Sequence, residues 1–95
     1  MRNKYNNFRV QIKWFMNEEI ETTIKNLEIG LISRDQAIGS LNTVFRIASN
    51  IEDSNYMGRI CRVISYIRSS SNYFRLFKTY QNSFKEEEIP QVKEM

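Results

Sequence analysis

Arg59, Arg62, Arg68, Arg75, Lys78 and Lys85 fall between Met57 and Lys85 with no acidic residue among them, and Tyr66, Tyr73, Phe74, Phe77, Tyr80 and Phe84 are interleaved. Guanidinium and ammonium groups neutralise phosphates, and exposed aromatic rings stack on bases, so these residue types can hold a nucleic-acid backbone. The same spacing also describes a helix whose aromatic stripe is core and whose cations face water. Tyr73, Phe77, Tyr80 and Phe84 recur at steps of three or four and are assigned to the core. If the local helix is continuous, Arg68, Arg75, Lys78, Asn82 and Lys85 share one arc as a phosphate-tracking face.

A second candidate lies near the start of the chain. Val10 and Trp14 sit one helical turn apart, roughly opposite the main apolar stripe of the first predicted helix. A lone tryptophan left outside a core face is a natural interface anchor, unless a later helix of the bundle covers it. Val10 and Trp14 are therefore the predicted partner-binding residues.

Catalysis is not expected, nor are a cofactor or a metal. The chain has no histidine, the commonest general base and metal ligand near neutral pH. Its single cysteine, Cys61, has no imidazole to activate it and, among Ile60, Val63 and Ile64, reads as a buried thiol. Glu18, Glu19, Glu21 and Glu28 read as solvated positions on a helix, and Glu86, Glu87 and Glu88 lack the spacing of a calcium loop. No glycine-rich phosphate loop is present.

Composition bounds the rest. With 95 residues, 41% hydrophobic and 26% charged, the chain suits one folded domain with a single core. The longest apolar run, Trp14-Phe15-Met16, is far short of the roughly 20 residues a membrane span needs. With no apolar leader and one cysteine, a cytoplasmic protein with no membrane partner is expected. Charge is segmented beneath a net +3: residues 1–17 carry four cations and no acid, whereas residues 86–95 are acidic. Such blocks can pair within the fold or within a dimer.

Proline is absent before Pro90, and only Gly30, Gly39 and Gly58 interrupt the chain, so an all-α bundle of three to four helices is predicted. Tyr5, Phe8, Ile12, Met16, Ile20, Ile24 and Leu27 define a first helix from about residue 4 to 28. The alternation Phe8, Val10, Ile12, Trp14 is the rival strand pattern over residues 8–15, but no second clear strand is available to pair with it.

Gly30 suits the left-handed residue of a Schellman stop, with Leu31 folding back on the last turn. Ser33 and Gln36 then read as a capping box, and Ile32 with Ala37 as a hydrophobic staple, predicting an antiparallel hairpin whose second helix reaches about Asn50. That helix is expected to turn Ala37, Ile38, Leu41, Val44, Phe45 and Ala48 inward. Asp53 or Ser54 caps a third helix carrying Met57, Ile60, Cys61, Ile64 and Ile67. Because the later apolar set faces the other way, a break at Ser69–Asn72 is expected, followed by a fourth helix over about 71–87 capped by the serines. Residues 1–88 are read as one helical domain and 89–95 as a polar, flexible tail.

The preferred functional reading is a small interaction or regulatory protein that docks to a protein partner, with self-association into a homodimer included. The alternative is a nucleic-acid-binding protein using the basic segment 57–85.

Overall fold

The absence of proline and glycine from residues 2 to 28 lets one helix run unbroken, and α1 spans Arg2–Glu28 in the computed structural model. The structure describes residues 2–84, with side chains over residues 8–82. The strand pattern of residues 8–15 is overruled. Met16, Ile20, Ile24 and Leu27 form a buried stripe at helical spacing, and a ladder would have no partner. Phe8, expected on the same stripe, is 58% exposed because it lies near the end of the helix, where little packs over it.

Gly30 ends α1 as expected. At φ +80° it permits the Leu31 N–H to reach the Asn26 carbonyl at 2.8 Å and its own N–H to reach Leu27 at 3.1 Å. Leu31 does not fold back and stays 68% exposed. Helix α2 (Arg34–Asn50) then starts at a complete capping box: the Gln36 N–H donates to Ser33 Oγ at 3.1 Å, and the Ser33 N–H to Gln36 Oε1 at 2.8 Å. Ala37, Leu41, Val44 and Ala48 are buried, with Ile38 and Phe45 half-buried beside them.

The turn into α3 (Ser54–Ser69) repeats the Schellman geometry without a glycine. Glu52 holds φ 56°, the Asp53 N–H donates to Ala48 at 2.9 Å, and the Glu52 N–H to Ser49 at 3.0 Å. Asp53 caps α3, its Oδ1 accepting from the Tyr56 N–H at 3.1 Å. Two short turns make three successive antiparallel helices. Tyr56, Ile60, Val63, Ile64 and Ile67 supply the α3 layer.

Cys61 is exposed, correcting its expected burial: it points away from the Ile60, Val63 and Ile67 stripe.

The predicted break after Ser69 is present, but the fourth helix starts later than expected. Ser70 Oγ accepts from the Asn72 N–H at 3.3 Å, and Asn72 Oδ1 takes the Phe74 N–H at 2.9 Å, holding residues 70–75 in turns. Helix α4 (Leu76–Thr79) follows, widening into a π-helical turn over Tyr80–Phe84. Its N-terminus is capped by none of the serines. Leu76 and Tyr80 are fully buried, whereas Tyr73 and Phe77 are half-buried. The segment closes a ring in which α1 packs on α2, α2 on α3, and α3 and α1 on the last segment. Among the described residues the fold is all-α. The expected helix end near 87, the acidic run 86–88, Lys85 and the tail 89–95 lie outside the described residues, as do the side chains of Tyr5 and Phe84.

Candidate docking face and the basic segment

Helix α1 is longer than the helices it packs on, and its first half meets mainly the α2–α3 turn. Phe8 and Arg9 line a cavity there with Asn50, Ile51 and Glu52, and two cations make polar contacts. The Arg9 guanidinium donates to the Ile51 carbonyl at the end of α2, and Lys13 pairs with Asp53 at 3.8 Å. Both place a cation against helix-terminal carbonyls or a capping carboxylate, a favourable location for positive charge. They also draw the cations of this stretch toward the bundle side of the helix.

Four large apolar side chains remain outward, with Gln11 between them. Val10 is 61% exposed and Trp14 68%, and they are joined by Phe8 at 58% and Phe15 at 47%. The two predicted partner-binding residues thus lie on one free surface. As far as Asn82, the last segment does not cover them: its contacts with α1 run from Glu28 to the Tyr80 hydroxyl, which donates to Asn17 at 2.9 Å, a turn short of Trp14. Phe8 and Phe15 were missed because one fits the core stripe by spacing and the other sits inside the Trp14-Phe15-Met16 run. The usable signal was the apolar density of residues 8–15 on several sides of one helix.

The basic segment divides. Arg59, predicted to contact phosphate, is fully buried. Its guanidinium lies over the Tyr56 ring at 4.1 Å, and Nη1 donates to the Tyr80 hydroxyl at 3.3 Å. The hydroxyl passes the chain on to Asn17, whose Nδ2 donates to Glu21 Oε2 at 3.1 Å. This polar thread joins α3, the last segment and α1. Burial pushes the Tyr80 phenol up to about 12, against the opposing pull of Arg59. A charge so enclosed is structural.

The single arc expected of Arg68, Arg75, Lys78, Asn82 and Lys85 is also broken, since the chain is not helical between Ser69 and Leu76. Arg68 lines a shallow groove between α2 and α3 with Asn42, Phe45, Cys61 and Ile64. Arg62 borders a depression on α3 with Cys61, Ser65, Tyr66 and Ser69. Arg75 and Lys78 share another with Thr79 and Asn82. Beside them Phe74 is 73% exposed, its ring 5.9 Å from the Arg75 guanidinium.

Among the described residues no three of His, Cys, Asp and Glu gather where a metal ion could sit, and no helix is long and apolar enough to cross a membrane. No family model, curated relative or solved structure matches the chain.

Proposed function

We propose that this is a non-enzymatic interaction or regulatory protein that docks to a protein partner through the outer face of α1. The observation that carries it is the cluster Phe8, Val10, Trp14 and Phe15, four large apolar side chains left in solvent within residues 8–15 while the cations between them engage the α2–α3 turn. Aromatic residues at the centre of an uncharged patch are the usual anchors of an interface. An exposed lone thiol, Cys61, fits the reducing cytoplasm better than an oxidising compartment. Recovery of a partner from cell extract, with and without nuclease, tests the reading. Capture of a nuclease-resistant protein by the parent chain and its loss with Trp14→Ala is the expected result.

The nucleic-acid reading keeps one supporting observation, Phe74 exposed beside Arg75 and Lys78. On that reading Arg62, Arg75 and Lys78 supply phosphate contacts and Phe74 a stacking ring. Nuclease-sensitive capture abolished by Arg75→Glu with Lys78→Glu favours it over docking.

A further inference from the structure

We infer that the occupant of the Phe8–Phe15 face is a second copy of this chain, its α1 lying antiparallel to the first about a two-fold axis near residues 11 and 12. The inference rests on the docking reading above and names its partner.

Area is the first argument. The exposed fractions of Phe8, Val10, Trp14 and Phe15 amount to an apolar surface on the order of 500 Å² per chain, taking ordinary side-chain areas. Complete covering of these residues in two copies would remove at most about 1,000 Å², the lower bound for a specific interface. A two-fold contact suits a single patch, because each copy offers the other the same residues.

Charge is the second argument. Two copies of a chain of net charge +3 repel each other, so a self-contact must keep cations out of its centre. At the centre Gln11 is the uncharged polar residue exposed among the four apolar ones, while Arg9 is engaged at Ile51 and Lys13, its side chain 51% exposed, reaches Asp53 from the edge of the face. Beyond the patch the antiparallel register carries exposed Glu18 and Glu19 of one copy alongside the first turns of the other α1. That end of a helix is the positive pole of its dipole, and its first turn holds no acidic residue. Glu18 and Glu19 of one copy thus lie toward the positive pole of the other α1, which favours the antiparallel over the parallel arrangement.

The test is sedimentation equilibrium of the full chain from about 1 to 100 µM, with the emission of Trp14, the single tryptophan, followed over the same range. A dimer mass is expected, with emission moving to shorter wavelength as the dimer forms. Trp14→Ser should weaken association by about thirtyfold or more at unchanged helical circular dichroism. Val10→Ser serves as the second variant. Glu18→Lys with Glu19→Lys should weaken the dimer as well.

A monomer at every concentration overturns the inference, as does a dimer indifferent to both serine variants. A monomer leaves the docking reading to the Trp14→Ala capture experiment, so the two fail separately. Short-wavelength emission from a monomer at all concentrations would mean that the chain covers Trp14 itself, which overturns both.

Discussion

The carboxylate of Glu28 accepts the main-chain N–H of Phe77 at 3.1 Å, 49 residues away, and its second oxygen takes the N–H of Arg75 at 3.0 Å. The last turn of α1 thereby caps α4, a helix whose preceding residue, Arg75 in the left-handed region at φ 65°, offers no cap of its own. A negative charge at a helix N-terminus is favoured by the dipole as well as by the hydrogen bonds. Lys25 adds to the same junction by lying over the Phe77 ring at 4.7 Å.

Glu28→Ala should therefore lower stability by about 1 to 2 kcal/mol, with Glu28→Gln losing less because one acceptor oxygen remains. Urea denaturation of the three chains measures this. Equal midpoints would show that the cap has no energetic role.

Alkaline pH should separate Tyr80 from Phe in its place. A phenol held up to about 12 keeps its proton in the folded chain while the unfolded chain releases it near 10. The folded state then binds the extra proton, so its stability is complete below pH 10 and falls as pH rises toward 12, by about 2 to 3 kcal/mol in all. The parent should lose stability between pH 10 and 12 more steeply than Tyr80→Phe, which has no phenol to ionise. Parallel stability–pH curves would contradict this.

Glu52 occupies a left-handed conformation with φ 56°, where a Cβ is strained. Glu52→Gly relieves that strain at some cost in unfolded-state entropy, for a net gain of about 0.5 kcal/mol. A higher melting temperature is the expected readout.

The α1–α2 turn should respond in the opposite sense. A methyl group added at Gly30 would meet open space, so Gly30→Val costs through backbone strain alone, about 1 to 2 kcal/mol, more than Gly30→Ala. Ser33→Ala removes a cap and should cost about 1 kcal/mol. Melts indistinguishable from the parent would refute the geometry of this turn.

Within the basic segment, location should decide the effect of charge reversal. Arg59→Glu places an acid in a fully buried polar thread beside Tyr80 and should prevent stable folding, a loss of about 3 kcal/mol or more, because a buried charge without a fitted partner is costly. Arg75→Glu with Lys78→Glu, both at exposed positions, should leave the melt nearly unchanged. Circular dichroism with heating distinguishes them.

Local signals in the chain were enough for the first three helices, the Gly30 stop, the Ser33–Gln36 box and the Asp53 cap, because each depends on residues within one or two turns of one another. They were also enough to set Val10 and Trp14 apart from the stripe of α1, a matter of angle along one helix. Tertiary structure alone decided which candidates are free. Arg59 and Cys61 exchanged their expected places because the inward side of α3 is set by where Tyr80 and Asn17 arrive, and those residues come from the far end of the chain and from α1. Glu28 looked like a solvated acid until α4 returned beside it. Among the described residues, the exposure of Trp14 likewise follows from where the last segment lies on α1, its Glu28 and Asn17 contacts stopping a turn short. Periodicity reports the faces of a helix, and only packing between distant segments determines which of those faces meet water.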